Sequence, residues 1–194
     1  MIPRRIRPLL LGWLAGIATA AIAGGVFAGL VLFAGIYNTG ADNQHLRIVA
    51  WAFHRTMTSS VKRRTQPLPA DALRDADVLA GARDYEMHCI ACHGGPGVAR
   101  AAWTSALLPT PPYLLDSARR WSPAELTTIV RDGVKMTAMP AWSEVAPDRK
   151  VDDVVAFLIA MRRLTPAAFA RLRAQAATGT APLRPGSAAS EASQ

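Results

Sequence analysis

The chain has 194 residues, 51% of them hydrophobic, with a formal net charge of +8 and a pI near 10.5. Residues 71–165 carry 11 basic and 12 acidic residues, net −1, whereas residues 1–70 carry +7 and residues 166–194 carry +2. A nucleic-acid footprint needs a basic face on the folded domain, so no nucleic-acid partner is expected, and the basic excess near an apolar segment suits anionic lipid headgroups instead.

The N-terminus carries Arg4, Arg5 and Arg7, and from Leu9 to Tyr37 no residue is charged. Such a run exceeds the roughly 20 residues that span a bilayer and the roughly 7–15 of a secretory core. We therefore expect a basic N-terminus over 1–8 and a single retained transmembrane anchor over 9–37, although Thr39-Gly40-Ala41 offers a weak cleavage site. The leading arginines favour a cytoplasmic N-terminus. Small residues such as Gly12, Gly16, Ala20 and Gly24 would permit close approach of another membrane helix, or merely fill an ordinary span.

Residues 38–70 read as a juxtamembrane segment. Leu46, Val49, Ala50, Phe53 and Met57 recur three or four apart, which predicts an amphipathic helix from Asn43 to Arg64 lying on the membrane or a partner. Trp51 and Phe53 suit an interfacial position, and His45 and His54 are expected to be solvated. Thr65 to Pro69 reads as a linker to a domain of residues 71–165.

That domain should open with a helix from about Asp75 to Cys89, apolar at Val78, Ala82 and Tyr85, with Gly81 leaving room for a second helix to cross. Cys89-Ile90-Ala91-Cys92-His93 follows and reads C-x-x-C-H, the attachment signature of a c-type haem. Two thiols on one turn can each form a thioether to one porphyrin vinyl group, and the next histidine can ligate the iron. A zinc site would need four ligands, yet the chain has two cysteines and no second close pair of ligands. A redox dithiol would want a βαβ context and a reactive first thiol. His88 is expected to be an exposed helix residue.

Gly94 to Gly97 allows a sharp turn after His93, and the prolines at 109, 111 and 112 forbid helix there. Trp103, Trp121 and Trp142 are candidates for packing at a haem edge or for plain core. Ser122-Pro123-Ala124-Glu125 is a capping box with Pro at N1, opening a helix that ends near Asp132 with Gly133 as a left-handed cap. In the next loop Met139 precedes Pro140, which biases it toward extended backbone. It lies 46 positions beyond His93 (139 − 93), and we expect its sulfur as the sixth ligand, with Met136 the rival. A helix from about Asp148, its N-cap, to Leu164 presents Val151, Val154, Val155, Leu158 and Met161. A short helix over 166–177 and a disordered tail over 178–194 complete the chain.

With C-x-x-C-H near an N-terminal helix and Met-Pro on a distal loop, the chain resembles a class I c-type cytochrome, over roughly Asp75 to Leu164. Gly81 to Tyr85 and Gly133 to Trp142 look like the bacterial membrane-anchored monohaem type, which usually carries Gly where this chain has Ala138. The resemblance implies an all-α chain: a class I cytochrome c fold preceded by one N-terminal transmembrane helix. It implies one covalently bound haem c, with thioethers to Cys89 and Cys92 and iron ligated by His93 and Met139. It also implies a crossing of the first and last domain helices at Gly81 and Tyr85, and a proline carbonyl (109, 111 or 112) bonded to the proximal imidazole. Haem attachment in this family takes place outside the cytoplasmic membrane. A single-pass protein of the bacterial inner membrane with a periplasmic haem domain is therefore expected.

A His/Met iron has no open position, so an electron carrier is expected rather than an enzyme. Its partners would be a dehydrogenase or quinol-oxidising complex on one side and a soluble cytochrome or terminal oxidase on the other. The alternatives are a cytochrome subunit that mainly anchors or assembles a larger oxidoreductase, and a haem enzyme or sensor whose distal methionine is displaced.

Overall fold

The computed structural model describes residues 7–69, 71–145 and 151–178. In chain order its helices are α1 (Arg7–Phe33), α2 (Arg47–Arg64), α3 (Val78–His88), α4 (Ile90–His93), α5 (Leu114–Ser117), α6 (Pro123–Asp132), α7 (Trp142–Val145), α8 (Val151–Met161) and α9 (Pro166–Thr178). Tighter 3-10 turns occupy Ala102–Ala106 and Ala118–Arg120. Among the described residues there is no strand, only one antiparallel bridge between Gly95 and Val98. The protein is all-α, with one candidate membrane-spanning helix at its N-terminus.

The chain divides into two units, 1–43 and 44–194. In the first, α1 has 27 residues and buries none of them. At 1.5 Å per residue it is about 40 Å long, more than a hydrocarbon core of about 30 Å requires. The helix occupies Arg7–Phe33 rather than 9–37; the chain bends after Phe33, with Gly35 at φ 63°. The residues at 1–6, with Arg4 and Arg5, lie outside the described part.

In the second unit α3 and α8 cross in close contact. At Gly81 an added Cβ would stand 2.0 Å from the Asp153 carbonyl oxygen and 3.0 Å from the Phe157 Cβ, so only glycine lets the two backbones meet. Leu79, Ala82 and Tyr85 of α3 and Val155, Phe157, Leu158 and Met161 of α8 are buried around this crossing. The Tyr85 and Phe157 rings sit 5.0 Å apart. Helix α3 starts at Val78, later than expected, because Asp77 caps it: its Oδ1 accepts from the Leu79 and Ala80 N–H groups at 2.8 and 3.0 Å. Asp153 in turn accepts from the Asp77 N–H at 2.8 Å. The expected start of α8 at Asp148 lies outside the described residues.

Helix α6 begins at the capping box foreseen for it. Glu125 N–H donates to Ser122 Oγ at 3.3 Å, and Ser122 N–H donates to Glu125 Oε2 at 2.8 Å. It packs on α8 through Leu126 and Val130. Gly133 ends it at φ 64°, ψ −168°, which corrects the left-handed cap: this is the extended positive-φ region, open essentially to glycine alone. Helix α2 rests on α6 through Val61 and through an ion pair between Arg64 and Asp132. It starts at Arg47, not Asn43, and Leu46 and Phe53, of the apolar face expected to lie on a membrane or a partner, are exposed. Helix α9 packs on α3 with Phe169, Leu172 and Ala176 buried, and Arg173 grips Glu86 with two bonds of 2.6 and 2.5 Å. The tail beyond 178 lies outside the described residues.

Candidate functional site

The end of α3 and the single turn α4 bring Cys89, Cys92 and His93 together. The Cys89 N–H still bonds back to Tyr85, and its carbonyl accepts from the Cys92 and His93 N–H groups at 3.1 and 2.9 Å. All three side chains therefore leave one helical turn. Both thiols are free and half-buried. Burial, reinforced by Asp84 and Cys92, pushes the Cys89 thiol up to about 12. A redox dithiol needs the opposite, a first thiol with a lowered pKa.

His93 Nδ1 lies 2.9 Å from the Pro112 carbonyl oxygen. A carbonyl can only accept, so Nδ1 carries the proton and Nε2 is left as the donor atom for a metal. Burial lowers the imidazole pKa; the Pro112 bond works against this and the Arg100 charge works with it. A neutral ring with Nε2 free is the form that ligates iron, and an N–H bond to a carbonyl fixes its orientation. Of the three candidate prolines, Pro112 is the one that makes this contact.

The segment bearing Pro112 is itself held. Arg100 donates to the Pro111 carbonyl, and its guanidinium lies 4.2 Å from the centroid of the Tyr113 ring. Behind His93 the chain turns at Gly94, φ 65°, whose carbonyl accepts from the Tyr85 hydroxyl at 2.7 Å. An added Cβ there would lie 2.8 Å from the Val98 carbonyl oxygen and 2.9 Å from the Tyr113 ring. At Gly95 it would come within 2.5 Å of the Phe169 ring, and at Gly97 within 2.8 Å of Pro166. Helix α9 thus braces the turn that follows the histidine.

Met139 is half-buried against the core, beside the cluster that also borders Cys89, Ile90, Val98, Leu114, Leu115, Trp121 and Trp142. Its loop is a closed knot of backbone. Val134 N–H donates to the Met139 carbonyl at 3.2 Å, Thr137 Oγ1–H donates to Val134 at 2.7 Å, and Met139 N–H donates to Thr137 Oγ1 at 3.1 Å. Met136, at φ 61°, points outward and is 72% exposed. Gly133 admits the loop, because a Cβ there would lie 2.4 Å from the Pro140 carbonyl carbon and oxygen.

The remaining candidates are placed as follows. Trp142 meets His88, an exposed residue, at 5.0 Å between ring centroids, Trp121 is half-buried, and Trp103 is exposed. His45 tilts against Phe53 at 6.2 Å and His54 is exposed on α2. The donor set fits a covalently held haem: two free thiols, a neutral imidazole with a free Nε2, a half-buried Met139 thioether packed against the core, and half-covered apolar side chains beside it.

Residues 76–158 match the family model described as Cytochrome C oxidase, cbb3-type, subunit III. The chain carries a c-type cytochrome domain. It is an electron-transfer module, and a domain of this kind implies covalently bound haem c. The match takes in α3 to most of α8 and leaves α1, α2 and α9 outside the matched segment. No curated protein and no solved structure matches the chain.

Several residues of the site carried no local signal. Arg100 and Phe169 reach the segments around the Cys89–His93 turn from 7 and 76 positions beyond His93 (100 − 93 and 169 − 93). Gly133 was legible as a helix stop, but its second task, accepting the Pro140 backbone, depends on a contact outside its own helix.

Proposed function

We propose that the protein is a membrane-anchored monohaem cytochrome that passes single electrons at the periplasmic face. In this reading Cys89 and Cys92 fasten the porphyrin, and His93 Nε2 and the Met139 sulfur ligate the iron. The observation that carries it is the His93 Nδ1 contact with the Pro112 carbonyl, which fixes the tautomer a proximal ligand needs. When bound, a haem c supplies an iron that changes oxidation state by one electron, at a potential raised by methionine ligation.

The chain's own residues do the rest. Pro112 and Arg100 hold the imidazole plane; Gly133, Thr137 and Val134 hold the methionine loop; Tyr85 ties the attachment turn to the helix crossing. A half-buried Met139 that would fill the sixth position of the iron favours a carrier over a substrate-binding haem enzyme. The apolar length of α1 and the leading arginines support an anchor with its N-terminus in the cytoplasm. The proposed donor is a dehydrogenase or quinol-oxidising complex, and the acceptor a soluble cytochrome or terminal oxidase. The matched family is described as an oxidase subunit, which favours a second reading: a cytochrome subunit that also anchors or assembles a larger oxidoreductase.

Reduced-minus-oxidised spectra and redox titration of purified membranes test the ligand set. The pigment should resist extraction by acidified organic solvent, and Met139→Ala should lower the potential and admit carbon monoxide to the reduced form. A Met139→Ala protein with unchanged spectrum and potential would refute the assignment. Affinity purification from native membranes separates the two readings, since only a subunit travels with its complex.

A further inference from the structure

We propose that the outward face of α2 is a docking surface for anionic phospholipid, with Arg55 and Arg63 receiving headgroup phosphates. This deepens the anchored reading above and rests on it. Between Asp42 and Asp71 the chain has five basic residues and no acidic one. Arg64 is committed to Asp132, and Val61 to the core. That leaves a stripe at three- and four-residue spacing, Ile48, Trp51, Arg55, Ser59 and Lys62, all exposed. Ile48 and Trp51 are 65% and 63% exposed, large apolar groups at one end of a helix whose other end is cationic.

The cationic end is shaped as well as charged. Arg55, Thr56, Ser59, Ser60, Arg63 and Arg64 line an open groove of about 460 Å³. Its walls supply guanidinium and hydroxyl donors, the groups that recognise a phosphodiester. Ile48 and Trp51 on this stripe are side chains that settle at a bilayer interface, and the long stems of Arg55, Lys62 and Arg63 let their cationic heads reach headgroup phosphates. Each basic residue near an anionic surface strengthens attachment by about fivefold. Residues 34–46 are all that separates α2 from α1 in sequence, so the tether is short enough to keep α2 within reach of the surface of a bilayer that holds the span.

The full-length holoprotein should be placed in nanodiscs of phosphatidylcholine alone and of phosphatidylcholine with phosphatidylglycerol, and amide exchange of residues 47–64 compared. Exchange at least threefold slower in the anionic discs, abolished by 0.5 M salt and by Arg55→Ala with Arg63→Ala, is the expected result. Arg55→Lys with Arg63→Lys should retain most of the protection, and the haem spectrum should be the same throughout. Equal exchange in both discs overturns the proposal while leaving the anchor intact, and points to a protein partner for this face. Equal protection by inorganic phosphate in detergent also overturns it, since a free-anion site would need no lipid. Failure to enter either disc refutes the anchor and the docking together.

Discussion

Replacing Gly133 by alanine is expected to detach Met139 without touching it. At φ 64°, ψ −168° the residue occupies backbone space that an alanine enters at a cost of about 1–3 kcal/mol. The new Cβ would also lie 2.4 Å from the Pro140 carbonyl carbon and 2.6 Å from the Ala141 nitrogen. Both are backbone atoms, so no flexible side chain can swing aside, and the overpacking adds about 1–3 kcal/mol. The cheapest relief is to push the 139–141 segment outward, which draws the sulfur away with it. A combined loss of about 2–6 kcal/mol corresponds to a fall in Tm of roughly 8 °C or more for a domain of this size. Redox titration and spectra of the purified variant should report a lowered potential and lost methionine ligation, alongside that fall in Tm. If Gly133→Ala keeps the wild-type spectrum and potential and melts within about 3 °C of it, the account of this loop is wrong.

Gly81→Ala should be destabilising by at least about 1–3 kcal/mol in denaturant titrations, because its Cβ would strike the Asp153 carbonyl, yet it should leave the axial ligands unchanged. Phe169→Ala should cost about 3–5 kcal/mol and, by freeing the Gly95 turn, should also shift the reduction potential; a stability loss with no shift would show that α9 does not brace the attachment turn. Arg173→Met should change stability by no more than about 1 kcal/mol, since its ion pair with Glu86 is more than a third exposed on both sides. Burial, and secondarily the neighbouring Cys89 and Glu86, raise the Tyr85 phenol above its ordinary range. Tyr85 is therefore neutral in the folded protein where the unfolded chain ionises, so stability should be full below about pH 10 and fall as pH rises beyond it. Tyr85→Phe should flatten that alkaline decline while costing about 1–3 kcal/mol at neutral pH, through the orphaned Gly94 carbonyl; an unchanged alkaline slope would count against the assignment.

Features written in adjacent residues were legible from sequence. The C-x-x-C-H turn, the Ser122–Glu125 capping box and the helix-free proline stretch each depend on atoms a few positions apart, and each takes the expected form. Gly81 could also be read, because a glycine inside an otherwise good helix has few other uses. What escaped depends on contacts between distant segments. Pro109, Pro111 and Pro112 are alike in sequence; the difference lies in which carbonyl the Arg100 clamp leaves facing His93. Asp153 lies in the first turn of α8, where any carboxylate suits the helix dipole; that it bonds the N-cap residue of α3 depends on a distant segment. On α2 the apolar spacing spoke of a face for a membrane or a partner and did not single out Val61, which is the one residue of that helix buried in the fold.

The two loops that would grip the iron are built in the same way from opposite ends of the domain. On the proximal side, Gly94, Gly95 and Gly97 leave out the side chains that Tyr113, Phe169 and Pro166 would otherwise strike. On the distal side Gly133 does the same for Pro140. In each case an absent Cβ lets another segment come to contact distance, and a ring stiffens that segment once it is there. The His93 and Met139 loops therefore contain few soft degrees of freedom, although neither belongs to a long helix. An electron-transfer site benefits from that rigidity, because a ligand set that does not move between oxidation states adds little reorganisation to the reaction. The bracing ring at Gly95 comes from α9, which lies outside the matched family segment. Phe169→Ala is the substitution that isolates the contribution of α9 to the stiffness of the proximal loop.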